Sequence, residues 1–199
     1  MMNKLYALII ILFASLPVSE SMAQVYVPSD YSNPPLERTS FQKGISTASD
    51  ITALALPVAT LAGVLIAKDW EGLKEAALTA VVAGGATYIL KLSVREQRPD
   101  HSNYNSFPSM HSATAFATAA FLQRRYGWKF GAPAYALAAF TAAGRIAGKK
   151  HYWWDCLAGA AIGAGSAYIF TRPWARQHEF SMAPIVGQDN IGLTASMVF

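Results

Sequence analysis

The chain consists mainly of apolar blocks separated by short polar segments. Five blocks are rich in Ala, Leu, Val and Gly and carry no charge in their interiors; they cover residues 51–67, 75–90, 111–123, 132–144 and 156–171. A helix on the surface of a soluble domain normally shows a polar stripe at every turn, which these blocks lack. We therefore predict an all-α fold, a helical bundle of about five to six mostly membrane-spanning helices. Because a span needs ~20 apolar residues and the blocks are short, a compact soluble helical core is the alternative.

The first residues have the features of a targeting segment. Lys4 precedes the apolar run LYALIIILFASL, and the small residues Ser21 and Ala23 stand at positions −3 and −1 of a cleavage site. This pattern predicts that residues 1–23 are a secretory signal peptide cut after Ala23, or an uncleaved N-terminal anchor. Either way, the chain after residue 23 starts outside the cytoplasm.

The remaining chain divides into three parts. Residues 24–50 contain several prolines and little periodicity, which predicts an extended or loosely helical lead-in. The apolar blocks form one helical-bundle domain over 51–171, followed by a C-terminal tail over 172–199. The end of the tail, NIGLTASMVF, alternates apolar and small or polar residues and predicts a short strand.

Successive spans place the connections alternately on the two sides of a membrane. With residue 50 outside, the connections 91–110 and 145–155 also lie outside. Seven cations then fall inside, in agreement with the positive-inside tendency: Lys68, Lys74, Arg124, Arg125, Lys129, Arg172 and Arg176.

Composition excludes some classes of protein. Hydrophobic residues make up 53% of the 199 residues, and the net charge is only +4. No basic stripe with interleaved aromatic residues is present, so we predict no nucleic-acid partner. The single cysteine, Cys156, excludes an intramolecular disulfide.

Gly159 and Gly163 form a small-xxx-small pattern that suits close helix contact.

The two outside connections carry a set of residues that suits a phosphoryl group. They hold three cations, two histidines and one carboxylate: Lys91, Arg98, Arg145, His111, His151 and Asp155. Arginine binds phosphate oxygens as a planar fork, and lysine supplies a point charge. A helix that starts near Ser109 would add backbone N–H donors and the positive end of its dipole.

The two histidines can divide the chemical work. His151 and Asp155 are four residues apart and share a face of a helical turn. The carboxylate would fix the tautomer and leave the other ring nitrogen free to attack phosphorus, forming a phosphohistidine. His111 would protonate the leaving oxygen and then activate water. We expect no metal and no cofactor, because the three cations take the place of a metal clamp.

Three ordered motifs resemble those of the type-2 phosphatidic acid phosphatase superfamily. They are K-x6-R-P from Lys91 to Pro99, P-S-x-H from Pro108 to His111, and R-x5-H-x3-D from Arg145 to Asp155. The resemblance implies a helical bundle and metal-free hydrolysis through a phosphohistidine. It also implies roles for individual residues: Lys91, Arg98, Ser109 and Arg145 on phosphate, His111 as acid, His151 as nucleophile and Asp155 as its partner.

The chain departs from the family pattern at two positions. Met110 replaces the glycine that usually precedes the first histidine; its backbone N–H is kept, but its Cβ and thioether would crowd the approach to phosphate or contact an acyl chain. Gly144 replaces the serine that commonly precedes the arginine of the third motif, so one hydroxyl ligand is absent.

The sequence therefore predicts a metal-independent phosphatase that hydrolyses a lipid phosphate monoester or pyrophosphate. We expect it in the bacterial inner membrane, with a periplasm-facing active site and with the membrane and a phosphorylated lipid as its partners. The alternatives are a soluble periplasmic non-specific acid phosphatase, a vanadate-dependent haloperoxidase, and a non-catalytic membrane interaction protein that keeps the same residues. The oligomeric state, and the choice among lipid phosphates, are left open.

Overall fold

The computed structural model describes residues 34–174 and two strands near the C-terminus. The described residues form five helices and one hairpin: α1 (Ser40–Ile66), α2 (Trp70–Ser93), α3 (Met110–Tyr126), α4 (Trp128–Ala147), α5 (Trp153–Phe170), β1 (Phe180–Val186) and β2 (Ile191–Met197). The prediction of an all-α bundle with about five helices and a short strand-like tail is confirmed.

Side-chain caps define where three of the helices begin. The Thr39 side chain accepts from the backbone N–H of Gln42, whose own side chain accepts from Thr39 N–H, a reciprocal capping box at the start of α1. Asp69 caps α2 by accepting from Gly72 N–H at 2.8 Å. Ser109 caps α3 in the same way. These caps satisfy N–H groups that have no partner within the helix.

The first helix corrects one boundary of the sequence analysis. Within the lead-in predicted to be extended or loosely helical over 24–50, residues 40–50 already belong to a regular helix. The capping box starts the helix early, and the small side chains of Ser46 and Ser49 are buried within the bundle. This polar first part of α1 carries no apolar run, so hydropathy alone did not include it in the helix. The signal or anchor segment predicted for 1–23 lies outside the described residues.

Helix α3 lies at the centre of the bundle and contacts the other four helices. Its buried residues are mostly alanines, whose small side chains allow the close approach of neighbouring helices: Ala113, Ala115, Ala117, Ala119 and Ala120. A Cβ added at Gly159 of α5 would lie 2.3 Å from the Ser109 carbonyl oxygen. At Gly163 it would lie 2.1 Å from the Ala113 carbonyl oxygen. The small-xxx-small pattern therefore serves contact between α5 and α3 within one chain.

Large apolar side chains cover much of the outside of the bundle. Many are exposed on α1, α2, α4 and α5, among them Ile51, Leu54, Val58, Leu78, Ile89, Leu137, Phe140, Leu157 and Ile169. Among the described helices, α1 and α2 are long and apolar enough to cross a membrane by length and composition. An apolar exterior of this extent is typical of a surface that meets lipid or another apolar partner.

The C-terminal hairpin pairs β1 and β2 in antiparallel register, with Phe180 opposite Met197 and Val186 opposite Ile191. The strand predicted near the end of the chain is confirmed as β2. Strand β1 was not predicted; it contains Pro184, a residue that is rare in strands. In a two-stranded hairpin every strand is an edge, so a proline is tolerated there.

Candidate active site

One end of the bundle holds all the site residues that the sequence analysis proposed. The end of α2, the connection 94–109 and the start of α3 contribute the first group, and the end of α4 with the start of α5 contributes the second. The structure thus brings together Lys91, Arg98, Ser109, Met110, His111, Arg145, His151 and Asp155.

The three basic residues lie in a buried, hydrogen-bonded part of the protein. Lys91, in the last turn of α2, donates from Nζ to the Asn105 carbonyl oxygen at 2.7 Å. The Arg98 backbone N–H donates to the Asn103 carbonyl oxygen at 2.9 Å. Arg98 and Arg145 are only 8% and 2% exposed. Preorganised cations of this kind stabilise anionic oxygens without reorganisation.

The start of α3 is fixed against the start of α5. The Ser109 backbone N–H donates to the Asp155 carbonyl oxygen at 3.0 Å, and the Ser109 side chain accepts from Ser112 N–H at 3.4 Å. Met110 is the first helical residue and is half-buried. The first N–H groups of a helix and its dipole favour an anion at this point.

His151 and Asp155 lie next to each other in a buried setting. His151 Nδ1 is 3.4 Å from Asp155 Oδ2, a long approach that makes no hydrogen bond in this geometry. Asp155 Oδ2 already accepts from Ser106 Oγ at 2.5 Å and from Tyr152 N–H at 2.9 Å. Because Nδ1 faces the carboxylate, Nε2 is the ring nitrogen that is left for other chemistry.

Burial lowers the pKa of His151 well below its ordinary value of 6.5. The neighbouring Asp155 raises it, whereas the charges of Arg98, Arg145 and Lys91 lower it further. Desolvation and nearby cations both disfavour an imidazolium. The ring is therefore neutral at ordinary pH, as a nucleophile must be.

A residue that the sequence analysis missed, Asp50 of α1, completes the group. His111 Nε2 lies 2.9 Å from Asp50 Oδ1, and the same oxygen accepts from Arg145 Nη1. Arg145 Nη1 also donates to Ser46 Oγ at 3.3 Å. No motif contains Asp50 or Ser46, and each reaches the site only through the packing of α1 against α4. The one available signal was a charged residue at the edge of an apolar block.

Gly144 is the reason that α1 can come so close. A Cβ at this position would lie 2.7 Å from Ser49 Cβ and 3.2 Å from the Ile45 carbonyl oxygen. The space that a serine would occupy before Arg145 is thus filled by α1. That helix brings its own hydroxyl, from Ser46, to Arg145.

A second buried polar cluster lies at the other end of the bundle. Arg125 forms a bidentate pair with Asp69, at 2.7 Å from Nε and 2.5 Å from Nη2. Tyr126 donates to the same carboxylate, and Glu75 lies 3.4 Å from Arg125 Nη1. Arg125 is therefore a buried, paired cation that fixes α3 to α2, and it does not contribute a free charge to the positive-inside count.

Comparison with known proteins identifies the family. The model of the PAP2 superfamily matches residues 72–179, more than half of the chain. The chain therefore belongs to the PAP2 superfamily, and the family predicted from the three motifs is confirmed.

Two curated relatives and one solved structure are similar to the chain. The lipid A 4'-phosphatase of Helicobacter pylori is 33% identical over 118 residues, which are 54% of this chain and 60% of the relative. The lipid A 1-phosphatase of Porphyromonas gingivalis is 38% identical over 100 residues, which are 48% of this chain and 22% of the relative. The crystal structure of Aquifex aeolicus LpxE matches with a TM-score of 0.58 at 20% identity, covering 67% of this chain and 86% of that one. This last likeness supports the fold alone.

Proposed function

We propose that this protein is a metal-independent phosphatase that hydrolyses a lipid phosphate through a phosphohistidine intermediate. The observation that carries the proposal is the convergence of buried cations, two histidines and Asp155 at one end of the bundle. These residues come from two separate parts of the chain, one around the connection between α2 and α3 and the other around the connection between α4 and α5. A structural role for one loop therefore does not explain why they lie together.

Phosphate would bind between the cations and the start of α3. Arg98 and Arg145 supply guanidinium forks, Lys91 adds a point charge, and the N–H groups of Met110 and its neighbours supply further donors. These fixed groups stabilise the negative charge on the phosphoryl oxygens as the reaction proceeds.

The reaction follows in two displacement steps. His151 Nε2 forms a bond to phosphorus while the bond between phosphorus and the leaving oxygen breaks, and His111 gives its proton to that oxygen. Water then attacks phosphorus, His111 takes the proton from the water, and the N–P bond breaks to release inorganic phosphate. Asp155 orients the His151 ring and stabilises the positive charge that the ring gains on phosphorylation.

Burial lowers the pKa of His111, and the Asp50 carboxylate opposes this shift. A carboxylate at 2.9 Å from the imidazole stabilises its protonated form, which is the form that can donate a proton. Arg145 contacts the same carboxylate oxygen and so links the proton donor to the phosphate cradle.

A lipid substrate is supported by the outside of the protein and by its relatives. The apolar faces of α1 and α2 suit a bilayer, and both curated relatives are named as lipid A phosphatases. Met110 lies half-buried at the edge of the site, where its thioether can contact an acyl chain. We propose that the protein lies in the bacterial inner membrane with the active site facing the periplasm.

The test is phosphate release by detergent-purified protein, with a diacyl lipid phosphate and an aryl phosphate as the two substrates and EDTA present. We expect lipid-selective release that His151→Asn reduces by about 10³-fold or more, because the nucleophile is lost. His101→Asn, at a positive-φ position that asparagine tolerates, is the matched control and keeps activity. Release from the aryl phosphate alone would favour a soluble acid phosphatase. No release from either substrate by folded protein would contradict the proposal.

A further inference from the structure

Glu96 lies beside Asp155, although nothing in the proposed reaction requires a second carboxyl there. It belongs to the connection between α2 and α3, and its backbone is fixed: its carbonyl oxygen accepts from Ser106 N–H at 3.0 Å, and it forms a β-bridge with Asn105. The side chain therefore has a defined position and points toward the start of α5.

The Glu96 side chain contacts two neighbours on α5. Its Oε1 accepts from Trp154 Nε1 at 2.9 Å. Its carboxyl also interacts with the neighbouring carboxyl of Asp155. Oε2 of Glu96 and Oδ1 of Asp155 are both buried and accept from no N–H or O–H donor among the described residues.

Two carboxylates cannot hydrogen-bond to each other unless one of them holds a proton. Asp155 accepts from Ser106 Oγ and from Tyr152 N–H, and both donors favour its ionised form. Glu96 accepts from Trp154 only. Burial raises the pKa of Glu96, and the neighbouring Asp155 carboxyl raises it further. A single proton held by this pair would therefore lie on Glu96, and the negative charge on Asp155.

We propose that Glu96 is a positioning residue that donates the proton of its carboxyl group to Asp155 Oδ1 and thereby holds Asp155 Oδ2 toward His151 Nδ1. The inference rests on the proposed function, in which His151 is the nucleophile. A neutral partner suits this role, because a second negative charge would repel Asp155. Asp155 then has both oxygens occupied: Oδ1 by Glu96, and Oδ2 by Ser106 and Tyr152 on the side of the histidine.

Three variants separate this role from a packing role. Glu96→Gln keeps the shape and an N–H donor, Glu96→Ala removes both, and Glu71→Gln changes an exposed glutamate at the far end of the bundle as the matched control. With a diacyl lipid phosphate in detergent micelles, we expect Glu96→Gln to keep kcat within about 3-fold and Glu96→Ala to lose about 10-fold or more, both with KM nearly unchanged. An equal loss in the two Glu96 variants, or no loss in either, would overturn the proposal.

An infrared spectrum tests the proton without reference to activity. In purified protein at pH 7, we expect a carboxylic-acid C=O band in wild type and in Glu71→Gln that is absent from Glu96→Gln. If that band is the same in all three, Glu96 is ionised and the proposal is wrong. If wild type releases no phosphate while the band behaves as expected, the proposed function fails and the assignment of the Glu96 proton stands.

Discussion

At the scale of single residues, the site combines side chains whose charges have opposite tasks. In the proposed mechanism Arg98 and Arg145 bind phosphate, and their charges also help to keep His151 neutral. The Asp50 carboxylate forms ion pairs with His111 and Arg145 and not with the proposed nucleophile, His151. One histidine is thus kept in its neutral form for attack, and the other has a carboxylate that favours its protonated form.

The neutrality of His151 can be measured directly. Because its pKa is lowered, the ring stays unprotonated as the pH falls through 6.5 and takes up a proton only at much lower pH. In long-range ¹H–¹⁵N spectra of histidine-labelled protein in micelles, we expect the His151 ring signals to stay constant from pH 8 to pH 5. The His151→Asn variant assigns the signals. A midpoint near 6.5 in the folded protein would be inconsistent with a buried, cation-flanked ring.

Replacement of Asp50 by asparagine tests its link to proton donation. We expect Asp50→Asn to lower kcat by about 10²-fold for an alkyl or lipid phosphate, whose leaving oxygen needs a proton. The loss is much smaller for an aryl phosphate, which leaves without one. In a double-mutant cycle, adding Asp50→Asn to His111→Ala produces little further loss. Equal losses on both substrates would show that Asp50 acts on phosphate binding instead.

The sequence could predict the motif residues of the site, and Asp155 as the partner of His151, but not the other contacts around them. Lys91, Arg98, His111, Arg145, His151 and Asp155 stand at spacings that reveal them. Asp50 is 95 residues from Arg145 along the chain, and Glu96 is 58 residues from Trp154. Such contacts come from the packing of helices, which local patterns do not contain.

At the scale of elements, the close packing of α1 on α4 decides the shape of the site. Gly144 allows this approach, and the helix α1 that makes it carries Asp50 and Ser46. The sequence analysis interpreted Gly144 as the loss of a hydroxyl ligand. The structure gives the position a further role, because a serine there would collide with Ser49.

Restoring the serine of the family pattern should therefore be harmful. We expect Gly144→Ser to lower the free energy of unfolding by about 1–3 kcal/mol, because its Cβ would lie 2.7 Å from Ser49 Cβ, and to reduce activity by moving Asp50. Thermal unfolding and phosphate release measure the two effects. The added variant Ser49→Gly should recover part of both. Gly165→Ser, at a position with open space around its Cβ, is the matched control. A Gly144→Ser protein as stable as wild type would refute this explanation.

At the scale of the whole molecule, the two ends of the bundle differ in how their charged residues are arranged. One end collects the motif residues and their buried charges. The other end contains the Arg125–Asp69 pair, in which every charge has a protein partner. Alternating apolar blocks and polar connections predicted which connections share an end, because successive helices of a bundle run in opposite directions. The start of α1 and the hairpin strand β1 could not be predicted in this way, since neither has the expected hydropathy pattern.

The central claim is that phosphate is transferred to His151 Nε2. The most direct measurement is mass spectrometry of protein quenched in alkali during turnover of an aryl phosphate, with His111→Ala used to slow the attack by water. A phosphoryl group on the peptide that carries His151, absent from His151→Asn, is the expected result. Phosphate on a different residue, or turnover with no phosphorylated protein in either form, would contradict the mechanism.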